Sequence, residues 1–395
     1  MKILITTDLF TTATNGVVTS VKNLYEELVK KGHDIRILTF SENKTSYKHG
    51  PAYFIGSRPF NVYPDVRCPS KFHHPYVKEL IEWKPDVIHS QCEFFSFQFA
   101  KRIAKKTKAP IVHTYHTLYE QYVTYVIPFK RLGKRLVRIA SRWRLKRVYA
   151  IIAPTKKVEN TLRAYKIKND IRIIPSGISL SQHKNRLLKD ERAAKRAELG
   201  LTDSQFTLIN LGRLGTEKNL EELLHFFVKV REKHENTAFL IVGDGPDKQA
   251  LEKLAEDLGV ADKVIFTGMV APAEVQTYYQ LGDLFVGAST SETQGLTYVE
   301  AAANGLPLLC RKDPCLEDIL QNGKNGFEYT TEEEFLEKLD GILSDETWFA
   351  EAKIASERAA EPFDKSNFAA AVENLYLAAL APKPNAKKTK NSKTA

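Results

Sequence analysis

Four side chains in the second half of this 395-residue chain have the types and spacing needed to handle a charged leaving group. Arg213 and Lys218 lie on one short segment, GRLGTEKN at residues 212–219. Two cations on one loop suit a diphosphate, whose developing negative charge they can neutralise as it departs. Glu292 and Glu300 are eight residues apart across SETQGLTYVE. Glu292 is expected on a loop and Glu300 in the first turns of the next helix. The amides of residues 293–297 then lie at that helix N-terminus, where anions bind. One carboxylate can bind sugar hydroxyls and the other ribose hydroxyls. Gly16, in Asn15-Gly16-Val17, would let backbone N–H groups approach a phosphate, although a plain turn uses glycine as well. Residues 242–246, VGDGP, read as a tight structural turn after a strand.

The elements that must hold these residues alternate. In the first half, strands are expected at residues 2–6, 34–40, 86–89, 109–113, 148–153 and 171–174. Helices are expected at 17–31 and 95–106. In the second half, strands at 206–211, 238–242, 263–267 and 284–287 alternate with helices at 219–233, 249–258, 273–280 and 296–304. This rhythm implies an α/β fold with two parallel sheets wrapped by helices. The length also exceeds the roughly 250–300 residues over which a single core grows. The break is placed near Pro175-Ser176-Gly177. The expected units are a Rossmann-like domain over residues 1–178, a second over 179–362, a helix over 363–381 crossing back to the first, and a disordered basic tail over 382–395. In open α/β sheets ligands bind at the carboxyl ends of the strands. Two such sheets facing each other form a cleft, and the candidate residues all follow strands.

Composition narrows the class. At 43% hydrophobic and 10% aromatic residues, the chain can bury sizeable cores and is not mostly disordered. No window reaches the ~18 apolar residues of a membrane span. The N-terminal MKILITTDLF reads as a first strand, not a signal peptide. Cys68, Cys92, Cys310 and Cys315 match no zinc spacing and make no disulfide framework, which favours a reducing cytoplasm.

The net charge of +10 is unevenly spread. Residues 1–190 carry 35 basic and 14 acidic side chains, whereas residues 191–395 carry 23 and 34. A basic half calls for an anionic partner: nucleic acid, anionic lipid or an acidic substrate. Alternatively, the surplus lysine only keeps the chain soluble. The charge concentrates in residues 130–147, KRLGKRLVRIASRWRLKR, nine Lys and Arg with no acid. On a helix, Leu132, Leu136, Ile139 and Trp143 share one stripe, with Lys130, Lys134, Arg135, Arg138 and Arg142 roughly opposite and Arg131 beside them. Such a helix suits an anionic bilayer surface. The competing reading packs the apolar stripe on the protein's own core. Nucleic acid is not expected, because no helix-turn-helix, zinc or RNP-type signature accompanies the cluster.

Taken together, Gly16, GRLGTEKN and E-x7-E followed by Ala301 resemble the retaining GT-B glycosyltransferases of family 4, over about residues 1–380. The resemblance implies that Arg213 and Lys218 bind a donor diphosphate, Glu300 a ribose and Glu292 the transferred hexose. It assigns sugar and phosphate contacts to the amides of Gln294, Gly295 and Leu296, and uracil reading to the backbone at Gly268-Met269-Val270. His116, in HTYHT, matches the family's active-site histidine near the acceptor, while His113 reads as structural. SETQGLTYVEA and HTYHTLYEQYVTYV, followed by the basic segment, look like bacterial diacylglycerol glucosyltransferases. Transfer of glucose from UDP-glucose to 1,2-diacylglycerol at the cytoplasmic face of the membrane is therefore the leading expectation. Alternatives are a relative that extends a glucolipid or uses another acceptor or UDP-hexose, a UDP-sugar epimerase, and a non-catalytic lipid- or nucleic-acid-binding protein. Ser179 departs from the family habit, where Asp frequently follows PSGI. No carboxylate nucleophile for a double displacement emerges, so front-face attack is expected, with His116 orienting the substrates. No DxD-type cluster is present, so no obligatory metal or other cofactor is expected, with dependence on Mg²⁺ left open.

Overall fold

The computed structural model describes all residues except 11–14, 61–66, 123–128, 184 and 383–395. In the first half, strands β1 (Lys2–Thr6), β2 (Asp34–Phe40), β3 (Tyr47–His49), β4 (Ala52–Ile55), β7 (Val87–Ser90), β8 (Ile111–Thr114), β9 (Ala150–Ala153) and β10 (Asp170–Ile173) form one sheet. Its order is β10-β9-β8-β7-β1-β2-β4-β3. All its pairings are parallel except that of β3 with β4. Strands β5 (Ser57–Pro59) and β6 (Arg67–Pro69) make a separate small ribbon.

The second half holds β11 (Phe206–Leu211), β12 (Thr237–Val242), β13 (Val264–Phe266), β14 (Leu284–Gly287), β15 (Leu308–Arg311) and β16 (Gly326–Tyr329). These run wholly parallel in the order β13-β12-β11-β14-β15-β16. Relabelled within the domain, that is the doubly wound order 3-2-1-4-5-6, with its switch point between β11 and β14. The fold is therefore GT-B: two Rossmann-like sheets, α/β throughout.

Local chemistry explains why these elements form. The central strands are continuous apolar runs because helices cover both faces; β12, TAFLIV, is buried at every position. The helix Gly16–Lys30 opens with Asn15 Oδ1 accepting from Val18 N at 3.0 Å, and buries Val18, Val21, Leu24 and Leu28 along one stripe. It stops at Gly32, whose φ of +81° only glycine adopts cheaply.

The last helix, Lys365–Leu380, packs beside the helix Gly16–Lys30. Its Phe368, Val372 and Tyr376 join Ile3, Ile5, Val21 and Ile152 in one core cluster of the first domain. Tyr376 Oη lies 2.6 Å from His89 Nδ1, on β7. Of the tail expected over 382–395, only Pro382 falls within the described residues. Among the described residues no helix is long and apolar enough to cross a membrane.

The basic segment forms the helix Lys130–Leu145. The reading in which its apolar stripe covers the core is corrected. Leu132, Leu136, Ile139 and Trp143 are 49%, 46%, 46% and 70% exposed. The helix instead buries Gly133, Ser141 and Leu145 and packs Val137 on the core. The stripe faces outward because the opposite side of the helix, carrying these residues, is the one that meets the core.

Candidate active site

The loops at the carboxyl ends of both sheets meet one another. After β1, Gly16 starts its helix so close to the second domain that a Cβ there would lie 3.5 Å from Leu296 Cδ1. The backbone oxygen of His116, after β8, accepts from Thr293 Oγ1 at 2.9 Å. After β9, Thr155 Oγ1 donates to Thr293 O at 2.6 Å. Lys157 reaches furthest: its ammonium donates to Thr290 O (3.0 Å), Glu292 O (2.9 Å) and both oxygens of Asp313 (2.8 and 2.6 Å). Ser289 and Ser291 hydroxyls both donate to Glu217 O, so the same loop is also tied to the turn after β11.

On this loop stands Glu292, whose Oε1 accepts from Lys218 Nζ at 2.5 Å. Burial alone would raise the Glu292 carboxyl. The charge and hydrogen bond of Lys218, with Lys157 behind, outweigh it and hold the group below its ordinary value. The same pair raises the Lys218 ammonium against its own burial. Both side chains are therefore ionised at neutral pH. Gly212 completes the corner: a Cβ there would stand 3.9 Å from Lys218 Cε and 3.9 Å from Thr297 Cγ2.

Glu300 lies on the helix Leu296–Ala303 and accepts from Tyr279 Oη at 2.9 Å. Burial pushes its carboxyl up to about 7, only partly opposed by that hydrogen bond. Gly295 caps this helix with φ +73°, and a Cβ there would lie 2.4 Å from the Tyr298 ring. Glycine is thus needed both for the backbone and for the space. Arg213 stands apart from the other three. Its Nη1 is 3.6 Å from Glu217 Oε1 and its side chain is 45% exposed. Gly268, at φ +72°, follows β13 close to Lys248 Nζ, with Met269 exposed and Val270 packed on the core.

The Gln294 side chain is committed elsewhere. It pairs with the backbone of Ser176 in both directions, Ser176 N to Oε1 at 2.8 Å and Nε2 to Ser176 O at 2.9 Å. It thereby fastens the loop to the Pro175-Ser176-Gly177 crossover, which helix Gly16–Lys30 also grips: Ser20 Oγ donates to Ser176 Oγ and Asn23 Nδ2 to Gly177 O. Only the Gln294 backbone is left for a ligand.

On the first domain, His116 Nε2 lies 2.8 Å from Gln91 Oε1. An amide oxygen only accepts, so Nε2 carries the proton. Burial and the neighbouring His113 push His116 down to about 3, which keeps the ring neutral. His113 is fully buried against Glu93 at 3.1 Å, and Tyr119 Oη donates to the other Glu93 oxygen. Asp8, at the end of β1, is buried and pushed up to about 6, its Oδ1 accepting from Ser96 N.

The structure thus brings Lys218, Glu292, Glu300, Gly16, Gly295, Leu296 and His116 to one interdomain corner, with Arg213 at its edge. Sequence reasoning missed Lys157, Asp313, Thr155, Gln91 and Tyr279. The available signal was position: Thr155 and Lys157 lie just beyond the carboxyl end of β9, where such sheets place functional side chains.

Of the residues expected on a membrane face, Arg138 is engaged by Glu120 at 2.6 Å. Arg131, Arg135, Arg142 and Trp143 are exposed, and Lys134 is partly so. The Lys130 side chain and residues 123–126 of the HTYHTLYEQYVTYV segment lie outside the described residues.

Two family models match in tandem: Glycosyltransferase Family 4 over residues 14–182, and Glycosyl transferases group 1 over residues 191–361. The chain is 33% identical over 387 residues to an alpha-monoglucosyldiacylglycerol synthase of Acholeplasma laidlawii, covering 95% of this chain and 97% of that one. It is 35% identical over 331 residues to the Streptococcus pneumoniae protein of the same name, covering 83% and 75%. The chain belongs to glycosyltransferase family 4. The family's fold is matched by the crystal structure of Anabaena HepE in complex with UDP, at TM-score 0.76 and 15% identity, covering 96% of this chain and all of that one. The interdomain corner built by Lys218, Glu292 and Glu300 is thus the candidate active site of a family 4 glycosyltransferase.

Proposed function

We propose that this glycosyltransferase moves glucose from UDP-glucose to 1,2-diacylglycerol at a membrane surface, with retention of the α configuration. The observation that carries the reading is the Lys218–Glu292 pair. The bond that breaks in a nucleotide sugar joins C1 of the hexose to a phosphate oxygen. An ammonium for the phosphate side and a carboxylate for the hexose hydroxyls must therefore stand side by side, as these two do. Both relatives named above are alpha-monoglucosyldiacylglycerol synthases, which supports the sugar, acceptor and anomer.

In this reading the leaving diphosphate is stabilised by Lys218, by Arg213 swinging from the rim, and by the amides at the N-terminus of the helix Leu296–Ala303. Glu300 binds the ribose hydroxyls, and Glu292 and the loop amides hold the hexose. The diacylglycerol hydroxyl attacks from the same face as the departing phosphate, which takes its proton. Neutral His116 orients the sugar or acceptor and is not the base. The exposed Leu132–Trp143 stripe and its cations bring the site to an anionic bilayer.

The test is incubation with labelled UDP-glucose and diacylglycerol vesicles, followed by identification of the lipid product and its anomeric configuration. Label in α-monoglucosyldiacylglycerol is the expected result. Free epimer, a diglucosyl product made only from added glucolipid, or no lipid label would overturn the reading. Arg213→Ala and Lys218→Ala are each expected to lose roughly 2–4 kcal/mol of transition-state stabilisation in kcat/KM. Normal turnover in both variants would remove the diphosphate assignment.

A further inference from the structure

Two histidines of the segment HTYH, His113 and His116, are each met by a side chain from the loop after β7. His113, inside the domain, faces a carboxylate: its Nε2 lies 3.1 Å from Glu93 Oε1. His116, at the interdomain corner, faces an amide: its Nε2 lies 2.8 Å from Gln91 Oε1. The difference decides what each ring does. A carboxylate favours a second proton on an imidazole, whereas an amide oxygen adds no charge. The amide oxygen accepts one hydrogen and so selects the tautomer with its proton on Nε2. Nδ1 then carries the lone pair. Among the described residues, His116 Nδ1 makes no hydrogen bond.

Both sides of this contact are held in place. Gln91 is 1% exposed, and its N donates to Thr6 O, at the end of β1, at 2.8 Å. The adjacent Tyr115 is fully buried, and its N donates to Ile152 O at 3.0 Å. The His116 carbonyl accepts from Thr293 Oγ1, on the loop that carries Glu292. The ring is therefore oriented before any substrate arrives.

We propose that Gln91 is a positioning residue of the transfer reaction: it holds His116 as the Nε2–H tautomer, so that Nδ1 accepts a hydrogen bond from a substrate hydroxyl. This role rests on the reading that places His116 beside the substrates. It adds which ring nitrogen serves them and what sets that choice. Both the hexose and the lipid alcohol offer hydroxyls, and the experiment separates them.

Gln91→Glu distinguishes this role from packing. Glutamate has the same length and still offers an oxygen to the Nε2 proton, so a packing role predicts no change. Gln91 Nε2 is buried without a hydrogen-bond partner, so a carboxyl O–H in its place would also lack one. A proton taken up by the introduced carboxyl therefore goes to the His116 side. Either the acid donates to a bare Nε2, or a carboxylate pairs with an imidazolium. In both cases Nδ1 gains a proton and becomes a donor. The titratable groups around the ring are His113 on its own segment, His89 on β7, Cys92 and Glu93 in the loop after it, and Glu292 across the corner, already paired with Lys218. They are the same in both proteins.

Nitrogen NMR of the full chain labelled at histidine reads the tautomer, with His116→Gln identifying the signal. Wild type should show a protonated Nε2 and a bare Nδ1 at neutral pH. In Gln91→Glu, Nδ1 should be protonated at low pH and bare at high pH. The ratio of variant to wild-type kcat/KM should fall on the order of tenfold at low pH, the worth of one hydrogen bond, and return towards one as pH rises. UDP-glucose and soluble dihexanoylglycerol, added separately, show which hydroxyl is taken, because that compound moves the Nδ1 resonance and UDP does not. A wild-type proton on Nδ1, a ratio of one at every pH, or an Nδ1 resonance unmoved by both compounds would overturn the proposal. The wild-type spectrum needs neither turnover nor the variant. It decides the tautomer even where Gln91→Glu fails to fold or another sugar or acceptor is used.

Discussion

Lys157 links the two domains through a nearly closed contact, and Lys157→Met is the sharpest probe of how the active site is assembled. The Lys157 and Asp313 side chains are 12% and 4% exposed, and the ammonium also holds the backbone of Glu292. Methionine keeps the apolar stem and strips the charge. It leaves Asp313, which still accepts from Cys315 N, buried without a counter-ion. One-sided loss of a buried pair costs about 3–5 kcal/mol. Because this pair spans two domains, the chain escapes that cost by opening the cleft and hydrating Asp313. The penalty therefore falls on the closed arrangement and not on the folding of either domain. At about 1.4 kcal/mol per factor of ten, kcat is expected to drop on the order of 10²–10³-fold while the melting temperature moves little. Lys157→Met/Asp313→Leu removes the orphaned charge and should recover part of the loss. Steady-state kinetics beside a thermal melt decide the matter. Wild-type turnover in Lys157→Met, or a double variant no better than the single, would refute the reasoning.

Three further outcomes are expected. Since Glu300 is pushed up to about 7, it ionises as pH rises through that value and accepts hydroxyl hydrogens better. UDP should bind more tightly at pH 8 than at pH 6, and Glu300→Gln should flatten the profile by calorimetry. The same shift makes its contribution to folding stability fall between the unfolded value near 4.5 and about 7, because the folded chain keeps a proton that the unfolded chain has released. Gly295→Ala forces a side chain into φ +73° against the Tyr298 ring, costing upwards of ~1–2 kcal/mol, and should lower both the melting temperature and UDP affinity. Replacing Arg135, Arg142 and Trp143 with alanine should weaken binding to anionic vesicles by about 1 kcal/mol per cation removed, in a salt-sensitive way. Arg138, already held by Glu120, should matter less in that sedimentation assay.

The sequence shows clearly what depends on local periodicity. The alternation of strands and helices pointed to two parallel sheets, and the crossover near Ser176 appeared as Pro-Ser-Gly. Strands β3, β5 and β6 escaped because three-residue strands carry too little pattern, and β4 escaped with them because the pairing of this edge is set by neighbours. Glu292 and Lys218 were visible as residue types on post-strand loops. Their partnership was not, because it joins loops 74 residues apart. Lys157 was hidden for the same reason: one lysine among many becomes distinctive only when a second domain places Asp313 opposite it. Gln294 was legible only through its backbone amide; that its side chain fastens the loop to Ser176 was hidden, because that contact joins segments 118 residues apart.

The final helix has a consequence for how the polypeptide is made. Phe368, Val372 and Tyr376 fill the hydrophobic interior of the amino-terminal lobe, yet they are synthesised only after every strand of the second lobe. That lobe must wait, half-finished, while its partner is synthesised and folds. A product truncated before residue 365 would therefore expose an unfilled interior at the opposite end of the chain and be recognisable to quality control as incomplete.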